Sequence, residues 1–211
     1  MSKQVKNRRN KVETQTHSET QTGSGLTFSR EEQRYLLSLA KQSIYEAILD
    51  KPYPIDKMDH TFPVLSEQRG LFVTLKIDGR LRGCIGNISP TEPLGELVKM
   101  IARQTAFDDP RFPPLSESEL KLVSFEITVL GEMKLIEDTN ELEVGRHGIM
   151  LKKGFYQGLL LPQVAVEMGW NRRQFLDGVC RKAGLPPGSW REKDVQIFLF
   201  TADYFGEAEV G

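Results

Sequence analysis

The chain has 211 residues, with 28 Lys+Arg, 29 Asp+Glu, three His and two Cys, for a formal net charge of -1. That length suits one domain or two small lobes with a sizeable core. The composition predicts no bilayer span, no secretory signal and no disulfide framework, which fits a reduced cytoplasmic protein, and the near-zero charge argues against an all-round grip on nucleic acid.

The charge is unevenly placed. Residues 1–25 carry Lys3, Lys6, Arg8, Arg9 and Lys11 against Glu13 and Glu19, so the remainder is net acidic. This first stretch is poor in apolar residues and contains the direct repeat Glu-Thr-Gln-Thr from Glu13 and again from Glu19. It reads as a disordered basic tail, because it offers too little burial to offset its ordering entropy. The folded part is expected over 26–211.

A first helix is predicted over 30–50. Ser29 and Glu32 have capping-box spacing, and Leu36, Ala40, Ile44, Ala47 and Ile48 form an apolar stripe that should stop before Pro52. Residues 51–70 read as a loop. Leu71–Ile77 and Arg80–Gly86 read as a hairpin about Asp78-Gly79, with Leu75 opposite Arg82 and Val73 opposite Cys84. A helix from about Thr91–Pro93 carries Leu94, Leu97, Val98, Ile101 and Ala102 on one face. A stiff loop from Asp108 to Pro114 follows, then an alternating strand through Val123, Phe125, Ile127 and Val129.

The second half repeats this plan. A hairpin is predicted about Lys153-Gly154, and Gly154 and Gly158 have the spacing of Gly79 and Gly83. A helical region follows. Asn171 and Gln174 suit a capping box, Phe175, Leu176, Val179, Cys180 and Ala183 an apolar face, and Gly184 a left-handed C-cap. The strand from Val195 to Thr201 is apolar on both faces and should be central. The expected fold is α+β, a two-layer α/β arrangement of antiparallel sheets with flanking helices. It is read as a duplicated ββαβ unit with approximate halves 71–133 and 147–206.

The segment Leu81-Arg82-Gly83-Cys84-Ile85-Gly86 carries the sharpest chemistry. On a strand, Arg82 and Cys84 would share a face, and a guanidinium beside a thiol favours the reactive thiolate. Gly83 and Gly86 would let a ligand or another backbone approach. The competing reading is that Cys84 is a small core residue, since the inferred repeat places Leu159 in its position. Asp108, Asp109 and Arg111 could act as acid, base or hard-metal ligand, or simply anchor their loop. His147 could serve as a base only if the fold brought it to Cys84. No zinc spacing, phosphate loop, Ser-centred elbow or aromatic–basic platform for nucleic acid is present in the sequence. Cys180 reads as core, and the residues alone imply no metal and no particular cofactor.

The motif Leu81–Gly86 resembles the signature of the AMMECR domain family, named for the human Alport-syndrome, midface-hypoplasia and elliptocytosis chromosomal region. Asp109-Pro-Arg-Phe112, His147-Gly148, Leu161-Pro-Gln-Val164, Gly169-Trp170, Phe175-Leu176, Ala183-Gly-Leu185 and Trp190 extend the resemblance in order across about residues 28–206. It implies a soluble two-lobed α/β protein with an interlobe cleft, and association with Memo-like and radical-SAM partners. It supplies no reaction. Arg82 and Cys84 are the candidate catalytic pair, and Gly83, Gly86, Asp109, Arg111, His147 and Gln163 are candidate ligand contacts. Two functions follow as expectations: an enzyme or enzyme accessory acting on a small molecule or modified group, or a non-catalytic interaction module.

Overall fold

The computed structural model describes residues 28–54 and 62–210; the predicted basic tail lies outside them. The first helix, α1 (Arg30–Leu49), is closed at its start by the reciprocal Ser29/Glu32 capping box and ends at Asp50, which takes a left-handed conformation. Its stripe buries Leu36, Leu37, Leu39, Ala40 and Ile44. The hairpin β1 (Leu71–Ile77) and β2 (Arg80–Asn87) follows, then α2 (Leu94–Phe107), whose five predicted face residues are all buried. Strand β3 (Val123–Leu130) returns antiparallel to β1. Leu71, Val73, Leu75, Phe125, Ile127 and Val129 pack with both helices in one core.

The second half runs β4 (Lys134–Ile136), β5 (Gly148–Lys153), β6 (Tyr156–Leu160), α3 (Pro162–Glu167), α4 (Arg172–Lys182) and β7 (Gln196–Phe200), and the chain closes with β8 (Ala202–Gly206) and α5 (Glu207–Val210). The Asn171/Gln174 capping box is formed, Gly184 has φ 77°, and the predicted face of α4 is buried. Ile149, Leu151, Ile197 and Leu199 pack with α4 in a second core.

The two four-stranded antiparallel sheets have orders β2-β1-β3-β8 and β6-β5-β7-β4. In each, a hairpin and a later strand lie in the same relative places, and β7 is central, as its two-sided apolar pattern requires. The fourth strands are exchanged. Strand β4 follows β3 but pairs with β7, and β8 follows β7 but pairs with β3. The two connections meet where the Gly131 N–H donates to the Thr201 carbonyl at 2.8 Å. A third apolar cluster joins the sheets through Phe72 and Ala202 on one side and Met150, Leu159, Phe198 and Phe200 on the other.

Two details of the hairpins depart from the sequence reading. In the first, Asp78 and Gly79 both have positive φ, as the expected two-residue turn requires. Past the turn, however, Arg82 is an extra residue in β2. Leu81 pairs with Lys76 and Gly83 with Leu75, so Arg82 has no opposite partner. This bulge shifts the register by one, placing Cys84 opposite Thr74 and Ile85 opposite Val73. In the second hairpin Lys153 pairs with Tyr156, so the turn residues are Gly154-Phe155. Gly154 has φ 56° and Phe155 does not, which is the pattern of a turn with glycine at its first central position.

Candidate functional site

The loop that follows α2 folds along the outer edge of β2 and grips it through named groups. The Cys84 N–H donates to Asp109 Oδ2 at 2.9 Å, and Arg111 Nη2 donates to the Cys84 carbonyl at 3.0 Å. Arg111 also holds Asp109 in a two-pronged pair, Nε to Oδ1 at 2.9 Å and Nη2 to Oδ2 at 2.7 Å. One ion pair thus stands in for a neighbouring strand and satisfies both backbone groups of Cys84 on an edge that would otherwise be open. Asp109 is buried, and the Arg111 guanidinium holds its carboxyl well below the usual carboxylate range, with the Cys84 and Arg111 N–H groups adding to the effect.

Arg82 of β2 is buried against the same loop. Its Nε donates to Glu119 Oε1 at 2.7 Å and its Nη2 to the Pro113 carbonyl at 2.9 Å and to Glu119 Oε2 at 3.2 Å. Arg82 lowers the Glu119 pKa to about 2, aided by the Ser116 N–H and hydroxyl. The Phe112 ring lies near both guanidiniums, 5.8 Å from Arg82 Cζ and 5.6 Å from Arg111 Cζ. The Asp-Pro-Arg-Phe-Pro-Pro run therefore works as one clamp on β2. Arg82 Nη1 is buried without a hydrogen-bond partner.

The bulge determines what Cys84 faces. Its neighbours Gly83 and Ile85 are paired with the core residues Leu75 and Val73, so the thiol lies on the opposite face of the sheet. There it is half-buried, and the Thr74 hydroxyl donates to its Sγ at 3.3 Å. Lys76 and Glu126 form an ion pair at 2.6 Å on the same face. Cys84 is thus neither a core residue nor free surface. Cys180 is buried on α4, where burial pushes its thiol pKa up.

The glycines have packing reasons. A Cβ at Gly83 would lie 2.7 Å from the Thr105 carbonyl of α2, and one at Gly86 would lie 2.3 Å from the Phe72 ring. Gly158 does for α4 what Gly83 does for α2, since a Cβ there would lie 2.8 Å from the Val179 carbonyl. The matched glycine spacing read from sequence marks two close helix-on-sheet crossings.

His147 is placed elsewhere. Its Nδ1 accepts from the Glu143 N–H at 3.2 Å, and burial lowers its pKa. It lines a pocket of about 330 Å³ with Arg69, Glu132, Lys134, Glu141, Phe200 and Thr201 among others, and Cys84 is not among the lining residues. Gln163 is half-buried on α3, with Oε1 buried and without a hydrogen-bond partner. The structure therefore gathers Arg82, Gly83, Cys84, Gly86, Asp109 and Arg111 about β2, and does not bring His147 to Cys84. Thr74 and Glu119 were not among the sequence candidates. Ser116/Glu119 capping-box spacing was a signal for the second, and only the bulged register reveals the first. Among the described residues no group of three or more His, Cys, Asp or Glu side chains could hold a metal ion. Also among them, no helix is long and apolar enough to cross a membrane.

A sequence profile of the AMMECR1 family matches residues 37–205. A protein from Thermococcus onnurineus is 42% identical over 183 residues, 82% of this chain and 89% of its own length. Protein MK0488 from Methanopyrus kandleri is 42% identical over 194 residues, 88% of this chain and 93% of its own. The crystal structure of uncharacterized protein PH0010 from Pyrococcus horikoshii superposes with a TM-score of 0.74 at 41% identity, covering 83% of this chain and 91% of that one. With an α+β fold of two antiparallel sheets, a solved neighbour of the same fold and a profile match over most of its length, the chain belongs to the AMMECR1 family.

Proposed function

We propose that this chain is an enzyme or enzyme accessory that takes a small molecule, or a modified group on a macromolecule, at the sheet face carrying Thr74 and Cys84, the wall of an interlobe cleft. A single comparison carries the reading. Thr74 and Cys84 form the cross-strand pair just beyond Leu75 and Gly83. In the other sheet, the pair just beyond Leu151 and Gly158 is Met150 and Leu159, which pack in the cluster between the sheets. The same place in the same architecture is filled by apolar packing in one sheet and by a hydroxyl and a thiol in the other. Fold requirements alone do not call for the polar pair.

In this reading Cys84 contacts the ligand and Thr74 orients the thiol. Asp109 and Arg111 are positioning residues that fix the Cys84 backbone, and Arg82 braces the loop that carries them. A modified group presented by a Memo-like or radical-SAM partner would meet the same face. Replacing the polar pair with its counterpart, Thr74→Met with Cys84→Leu, tests the proposal. The double variant should fold and lose the thermal shift that a metabolite and nucleotide screen gives with the unaltered chain; a ligand at ~100 times its dissociation constant stabilises by about 2.7 kcal/mol. Thr74→Val with Cys84→Ser is the smaller change should the first pair not fold. Retention of every ligand by a folded variant would contradict the proposal.

A further inference from the structure

The outer strands of the two sheets are β2, β8, β4 and β6, and they are guarded unequally. The edge of β2 is clamped at Cys84 by Asp109 and Arg111. Strand β4 is only three residues long and carries Lys134, and along β8 Asp203, Tyr204 and Gly206 all have interaction partners. The edge of β6 is open. Its five residues, Tyr156 to Leu160, include no charge and no proline, and its register with β5 has no bulge. The hairpin closes at the Lys153–Tyr156 pair, so the hydrogen-bonded pairs fall at Tyr156, Gly158 and Leu160. The N–H and C=O groups of Gln157 and Leu159 therefore point away from β5, and they have no partner among the described residues. Phe155, fully exposed at the turn, and the exposed Tyr156 add apolar surface at one end of this edge.

A strand edge without charge can face its own copy with no like charges in the seam, and the order of residues about Gly158 suits that pairing. We propose that β6 pairs antiparallel with β6 of a second copy of this chain, about a two-fold axis through Gly158. In that register each Gln157 exchanges both backbone bonds with the partner's Leu159, so the same open groups are satisfied on both sides. Tyr156 meets the partner's Leu160 and Phe155 the partner's Leu161, which sets the exposed rings against half-buried leucines. The last turn of α4 lies over Gly158, where a Cβ would come 2.5 Å from the Ala183 N, and it carries the exposed Arg181 and Lys182. These cations approach their own copies across the axis, so salt, by screening them, favours the pairing. Each chain offers one open edge of this kind among its described strands, so assembly closes at a dimer.

Sedimentation equilibrium of the full chain tests the proposal. The unaltered chain should pass from monomer to dimer over the micromolar range, and the dimer should tighten as salt is raised. Gln157→Pro removes an outward N–H on each side of the axis and no bond to β5, and should weaken the dimer by about tenfold or more. Gln157→Lys keeps the backbone and places a charge on the exposed edge, as guarded edges do, so it should also weaken the dimer and carries the test if the proline variant does not fold. Cys84→Ser should dimerise as the unaltered chain does, which separates this surface from the Thr74–Cys84 face. A chain that stays monomeric up to ~1 mM, a dimer that salt dissociates, or a dimer that a folded Gln157 variant leaves unchanged would each overturn the proposal.

Discussion

The two hairpins are built to one plan and finished differently. Both cross a helix at a glycine, Gly83 under α2 and Gly158 under α4, and both send the next residue to the far face. The second hairpin runs without interruption, and Leu159 packs between the sheets. The first carries a bulge at Arg82, a loop clamped along its edge, and a half-buried thiol. The glycines belong to the architecture common to both halves. The bulge, the clamp and the thiol occur in one half only, so they are where specialised chemistry should be sought.

The clamp gives the largest expected effect. Glu119→Ala leaves the buried Arg82 without its carboxylate and should cost about 3 kcal/mol or more, as removal of one partner from a buried pair does. The second hairpin has no such pair, so Leu159→Ala should lose only packing, about 2 kcal/mol. Urea unfolding of both variants checks the contrast, and equal losses would break it.

Next come the shared crossings. Gly83→Ala and Gly158→Ala should each destabilise by about 1–3 kcal/mol through overpacking against helix backbone, and by similar amounts. A cost at only one of them would show that the two crossings are not alike.

Acid should act most strongly through the first half, where Glu119 and Asp109 are the most depressed carboxylates. The folded-state Glu119 pKa is lowered to about 2, below its ordinary value of 4.5, so its contribution is full above about pH 4.5 and is lost as pH falls toward 2. Asp109, also depressed, acts in the same direction. Urea midpoints measured between about pH 6 and 3 should therefore fall, and Glu119→Gln should flatten part of that slope. The smallest effect is expected at the thiol. Cys84→Ser should change stability by less than about 1.5 kcal/mol, because the side chain is half-buried and outside the helix-facing core.

Much of this was legible in the sequence because it rests on local rules. The capping boxes at Ser29 and Asn171, the Asp78-Gly79 turn, the helix faces and the central position of β7 all follow from spacing and propensity. The register of β2 was not legible. A bulge depends on contacts made by a loop some thirty residues away, which bind Arg82 and the Cys84 backbone. Without the bulge, Cys84 would face Val73's side of the sheet; with it, the thiol meets Thr74. The strand exchange was likewise hidden, since neither β4 nor β8 signals which sheet it will join. The pocket it creates combines Arg69, Glu132 and His147, which are far apart in sequence and share no motif.

The accessibility of Cys84 is the most direct test of the account. Iodoacetamide labelling of the folded protein, followed residue by residue by mass spectrometry, compares the two thiols within one molecule. Cys84 should label in the folded state while Cys180, fully buried on α4, waits for unfolding. If Cys84 also stays unmodified until the chain unfolds, the thiol is packing after all, and the proposed site loses its central residue.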